Sequence, residues 1–161
     1  MGKFNDRISA EFHPPRKWVL ERPLTYRNED IAKYEEALTA VKVSTPGNKI
    51  TVKKGFKTDL ASVPRACWNI ISPWDVARAA IIHDLLYKRI RQYRWDRLYK
   101  FDNVSENPSV VKNARKAADE VFLMAMIDAA PSIPIWKIYS AYYSVRSFGK
   151  FAIRPREDNI E

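Results

Sequence analysis

The chain has 161 residues, a length that favours one domain built on one core. With 46% hydrophobic, 12% aromatic and 29% charged residues it is a folding sequence, and disorder is excluded. A formal net charge of +9 biases it toward polyanions or acidic partner surfaces, and the single cysteine, Cys67, excludes an internal disulfide and a paired-cysteine zinc site.

Residues 1–6 contain no apolar stretch of signal-peptide length, and no apolar run is long enough to cross a bilayer, so neither secretion by a signal peptide nor membrane insertion is expected. Short apolar or aromatic segments at residues 18–20 and 24–26, either side of Pro23, read as strands. A third strand follows the breaker triplet Pro46-Gly47-Asn48 at residues 50–52, and Gly55 then turns the chain. Between them, residues 28–43 have the spacing of an amphipathic helix, although residues 41–45 equally suit the start of a strand. From Pro64 onward the pattern is helical. Ser72-Pro73 opens a helix over 74–89, and Asn107 caps another that begins at Pro108. A last helix runs from Pro134 to a stop at Gly149, with Trp136, Tyr139, Tyr142, Tyr143 and Phe148 as its aromatic core. The expected class is α+β: a small N-terminal antiparallel sheet packed against a C-terminal group of three to four helices, in one domain over 1–161.

Within the helix over 74–89, His83 and Asp84 stand side by side among apolar residues. They point about 100° apart, so both cannot face solvent while their neighbours form core. Buried polar groups need partners, and a buried carboxylate needs them most. The preceding loop offers Thr58, Asp59, Ser62 and Arg65, and Asp119 lies at the margin of the apolar stripe of the helix that starts at Pro108. Asp59, His83, Asp84 and Asp119 are therefore expected to converge.

The string Gly55-Phe56-Lys57-Thr58-Asp59-Leu60-Ala61-Ser62-Val63-Pro64 is followed by His83-Asp84-Leu85-Leu86-Tyr87, then by Ala118-Asp119-Glu120-Val121-Phe122 with Ala125-Met126, and by Tyr142, Val145-Arg146 and Gly149. Together these resemble a family of unknown function widespread in tailed bacteriophages and prophages, over residues 18–149. The resemblance implies a phage gene product, located in the virion or the host cytoplasm, that shares a polar cluster at Asp59, His83, Asp84 and Asp119. Against that family's compactness, residues 90–107 read as an insertion, and residues 150–161 as a charged tail that is mobile or orders on a partner.

Two readings of the four-residue cluster compete. The first is a structural network in which the carboxylates accept from backbone amides, His83 and Arg65. The second is a divalent-metal site, with the same four residues as ligands or base for hydrolysis of a phosphoester or of cell-wall material. The adjacent His-Asp resembles the metal-binding dipeptide of the phosphohydrolases named for that pair, but the further histidines of those enzymes are lacking; His13 is the only other one. Ser62 is a turn or helix-cap residue and not a nucleophile, since no nucleophile elbow surrounds it. Separately, Arg91, Tyr93, Arg94, Trp95, Arg97, Tyr99 and Phe101 interleave cations with rings. That pattern suits docking onto an acidic protein first, an ordinary solvated surface with its rings buried against the body second, and nucleic acid third. The expected function is thus a phage protein acting by association with other phage proteins, as a small virion or tail-assembly component in one or many copies. A metal-dependent hydrolase and a nucleic-acid or host-factor binder are the alternatives.

Overall fold

The structure, a computed structural model, describes residues 1–60, 69, 71–72, 76–100, 105–129 and 132–160. The expectations placed on Ser62, Arg65, Cys67 and Phe101, and on a helix start at Pro73 and Trp74, lie outside the described residues.

The N-terminal part holds strands β1 (Lys3–Phe4), β2 (Ala10–His13), β3 (Lys17–Leu20), β4 (Leu24–Arg27), β5 (Lys49–Val52) and β6 (Lys57–Thr58). They form two three-stranded antiparallel sheets, in the orders β1-β4-β5 and β2-β3-β6, where one sheet was expected. In the first sheet Leu24 lies opposite Val52 and Tyr26 opposite Ile50, and all four are buried. The intervening Thr25 and Thr51 share a 2.9 Å hydrogen bond on the outer face, as the two-residue period of a half-buried sheet requires. Ahead of β5, Pro46 and Gly47 occupy the centre of a turn closed by the Asn48 N–H to the Thr45 carbonyl at 3.1 Å, with Gly47 at φ +59°.

The amphipathic stretch after β4 is broken in two. A 3₁₀ turn over Glu29–Tyr34, opened by the Asn28 side chain accepting from the Asp30 N–H, leads into the single-turn helix α1 (Glu35–Thr39). It ends where Lys42 takes the left-handed seat usually filled by glycine, at φ 60°. The Val43 N–H to Leu38 carbonyl bond of 3.0 Å and the Lys42 N–H to Thr39 carbonyl bond of 2.9 Å complete a Schellman motif.

Three long helices form the C-terminal part: α2 (Ala77–Trp95), α3 (Pro108–Ala129) and α4 (Ile135–Ala152). Helix α2 passes its expected end at Arg89 because Ile90 is core, and it continues as a π-helical turn over Asp96–Lys100, so residues 90–100 extend the helix. The Asn107 side chain accepts from the Ser109 N–H at 2.9 Å, the cap that the sequence predicts for α3. Alanines 114, 117, 118 and 125 line the buried face of α3 and let α2 and α4 approach it closely. Gly149 does not end α4. It sits within the helix where a Cβ would collide with the Tyr87 hydroxyl, so glycine is there for contact with α2 and not for a turn. The sheet residues and all three long helices contribute to one apolar core.

Candidate functional site

Helix α2 is core on almost every side, and His83 at its middle is 1% exposed. Its ring lies 4.0 Å from that of Tyr87, one turn on, and 4.7 Å from that of Phe122 in α3, so flat apolar surfaces fix its plane. Asp119 of α3 faces it with no exposure at all. His83 Nε2 is 3.0 Å from Asp119 Oδ1, and the Tyr87 hydroxyl donates to the same oxygen at 2.7 Å. Arg146 of α4 donates from Nη1 to Oδ2 at 2.7 Å. Arg115, one turn before Asp119, brings Nε to 3.8 Å of Oδ2, and its Nη2 donates to the Arg146 carbonyl. One carboxylate thereby joins all three long helices.

Burial pushes the Asp119 carboxyl up, but the bonds from His83, Tyr87 and Arg146 outweigh it and hold the group below the usual carboxylate range. An ionised carboxylate only accepts, so His83 Nε2 carries the hydrogen of that bond. Nδ1 is buried and has no hydrogen-bond partner among the described residues. Burial next to this carboxylate also drives the Tyr87 hydroxyl well above its ordinary pKa.

Asp84 turns away from that cluster. The Thr58 hydroxyl donates to its Oδ2 and accepts from the Leu60 N–H at 3.0 Å. The two bonds hold Leu60 at φ 56°, a conformation costly for a branched side chain, and present the exposed Asp59 just before it. Asp59, His83 and Asp84 line one cleft of about 410 Å³, with Phe56, Arg91 and Phe148 among its other walls. Burial pulls the Arg91 guanidinium below its ordinary pKa, against the opposing charges of Asp84 and Asp59.

The four residues expected to converge therefore divide. His83 meets Asp119, Asp84 meets Thr58, and Asp59 shares the cleft with His83 and Asp84, while Asp119 is not part of that wall. Among the described residues no three His, Cys, Asp or Glu side chains gather in a metal-holding group. Reading the sequence alone misses Tyr87, Arg115 and Arg146 as members of the cluster, although Arg115 precedes Asp119 by one helical turn and is legible as a pair. It also misses a second node, where Asp128 Oδ2 accepts from the Gly2 N–H at 3.0 Å, the Tyr26 hydroxyl at 2.6 Å and Asn28 Nδ2 at 3.0 Å.

The basic and aromatic segment of α2 is only partly a surface. Arg91 donates from Nε to the Asn159 carbonyl at 2.9 Å and from Nη1 to the Ala152 carbonyl at 3.2 Å. Arg94 forms a fork on Glu106 at 2.8 and 3.1 Å and reaches the Ile153 carbonyl at 3.0 Å. These arginines donate to carbonyls of the segment that was expected to be mobile or to order on a partner, and that segment contains a 3₁₀ turn over Glu157–Asn159. Arg97 stands over the half-buried Tyr93 ring at 5.4 Å, and Trp95 packs on Tyr99 at 4.2 Å. Leu98 and Tyr99 are exposed. The expected aromatic core of α4 is corrected more sharply. Only Tyr142 is buried, its hydroxyl donating to Glu120 at 2.7 Å, whereas Trp136, Tyr139, Tyr143 and Phe148 face outward.

In comparison with known proteins, residues 35–145 match the model of a family described as Protein of unknown function (DUF1353). The matched segment runs from α1 into α4 and includes Asp59, His83, Asp84 and Asp119. Neither the curated proteins nor the solved structures compared with the chain gave a match. Among the described residues, no helix is long and apolar enough to cross a membrane.

Proposed function

For a chain that belongs to the DUF1353 family, whose description assigns no activity, we propose a function from the site itself: association with other phage proteins, as a small component of a virion or tail assembly. The observation that carries this is the closed state of the central polar cluster. Both oxygens of Asp119 are taken by donors from two other helices, and His83 spends Nε2 on the same carboxylate. A buried carboxylate whose two oxygens are both engaged in this way fixes helix positions and leaves the protein to act through its surface. The resemblance of the Thr-Asp-Leu and His-Asp-Leu-Leu-Tyr motifs to a phage family supports the setting. Mass spectrometry of purified particles tests the reading: the chain is expected in fixed copy number, and its absence rejects a virion role.

One observation favours a second reading, metal-dependent hydrolysis: Asp59, His83 and Asp84 border the same cleft. Purified protein would then retain stoichiometric divalent metal that Asp84→Asn removes. Elemental analysis that finds none in the wild-type chain rejects it.

A further inference from the structure

Helix α4 is apolar on its inner and its outer face. Its inner face, Ile138, Ala141, Tyr142, Val145 and Gly149, packs on the core. Its outer face carries Ile135, Trp136, Tyr139, Tyr143, Phe148 and Phe151, between 39% and 62% exposed. These are six of the eleven exposed large hydrophobic side chains among the described residues, so more than half fall on one 18-residue helix. Trp136, Tyr139 and Tyr143 recur at helical spacing, and Phe151 lies within about 80° of Tyr143 around the axis. Exposed apolar side chains gathered on one helix in this way mark an interaction site.

The rings are already arranged. Tyr139 and Tyr143 lie 6.2 Å apart, and Tyr143 meets the buried Tyr142 at 5.3 Å, so a core residue braces the exposed ones. Cations stand over two more: Lys137 at 5.6 Å from the Trp136 ring, and Lys150 and Arg154 each at 5.1 Å from the Phe151 ring. Helix α4 has no Asp or Glu anywhere along it.

This charge pattern selects the occupant. A second copy of the chain would set Lys137 and Lys150 against their own kind, with no carboxylate on the helix to answer them. A bilayer interface would seat the rings only with Lys137, Lys150 and Arg154 drawn off the ring faces they cover and out to the headgroups, and vesicle co-sedimentation tests that occupant directly. A protein surface with an apolar groove rimmed by Asp and Glu accepts both, the rings as central anchors and the cations at the rim. We propose that the outer face of α4 is the docking surface for such an acidic protein partner. The inference rests on the association reading above and names the chemistry of its partner.

Selection of a displayed random-peptide library on the purified full chain tests it while the natural partner is still unidentified. The expected winners interleave Asp or Glu with apolar residues. Their binding should weaken at least about tenfold in Trp136→Ala or Tyr143→Ala and should lose its acidic preference in the Lys137→Glu, Lys150→Glu double variant, while all variants keep the wild-type melting profile. Winners without acidic bias, or winners that bind the variants as well as the wild type, overturn the proposal. So does sedimentation that reveals a dimer, or co-sedimentation with phosphatidylglycerol vesicles, if either is abolished by Tyr143→Ala. Absence of the chain from purified particles would sink the assembly reading while leaving this result to stand or fall by itself.

Discussion

Helix α3 carries two carboxylates, Asp119 and Asp128, that each collect three hydrogen-bond donors, and the two nodes differ in kind. Asp119 has no exposure, and its partners include a guanidinium and an imidazole from two other helices. Asp128 is half-buried, and its partners are the neutral Gly2 N–H, Tyr26 hydroxyl and Asn28 amide of the N-terminal region. The first joins helix to helix through charge in a dry setting, and the second joins sheet to helix through neutral groups near water. Burial makes each unmet polar group more costly, and charge on the partners makes it more costly again.

The sharpest way to break this comparison is Asp119→Ala. It strands Arg146, His83 and Tyr87 together, and the expected loss of stability is about 3–5 kcal/mol, the range for breaking a buried ion pair by removing one partner. Urea unfolding monitored by tryptophan fluorescence checks it. A loss no larger than that of an exposed substitution would mean that the cluster does not hold the helices. Acid titration sharpens the point. Burial lifts the Asp119 carboxyl, but His83, Tyr87 and Arg146 more than reverse this, so its pKa in the fold lies below that of the unfolded chain. Its stabilising contribution is therefore present above the ordinary aspartate value of about 3.9 and lost as pH falls through the lower folded value. Asp119→Asn should flatten the acid limb of stability against pH; an unchanged limb would assign acid unfolding to other carboxylates.

At the second node, Asp128→Ala is expected to cost about 2–3 kcal/mol, because the three groups it strands are neutral and part of the site is wet. If it matched Asp119→Ala, the charge of the partners would not be what separates the nodes. Thr58→Val comes next. It removes the hydroxyl that serves both Asp84 and the Leu60 N–H, and it should cost about 1–2 kcal/mol by thermal melting. Because those bonds hold Leu60 at φ 56°, the variant should also expose the 59–60 peptide bonds to faster amide exchange.

What the sequence disclosed and what it withheld separate along the same lines. The α+β order, the Asn107 cap and the meeting of His83 with Asp119 follow from local chemistry and from the cost of burying charge. The Asp128 node was not legible, because Tyr26 and Asn28 are about a hundred residues away and nothing in their spacing points to α3. Gly149 carries a stop signal in sequence, yet the close approach of Tyr87 is what requires it, and that is a tertiary fact. Arg91 and Arg94 look like surface charge because the sequence cannot show a chain end folding back to offer its carbonyls.

Helix α4 misleads for a related reason. Its apolar residues extend almost all round the axis, so periodicity cannot say which arc meets the core, and only the neighbours decide. This gives the smallest expected effect and a discriminating one. Tyr143→Ala removes a large aromatic side chain, and were that ring core, the loss would be about 3–5 kcal/mol. At 62% exposure it should instead change stability by no more than about 0.5 kcal/mol, the range for surface sites. Val145→Ala, two residues on and fully on the inner face, should cost several times more in the same melting experiment. Equal losses at the two positions would mean that the outer rings are packed in solution, and the aromatic face of α4 would then have no free surface to offer a partner.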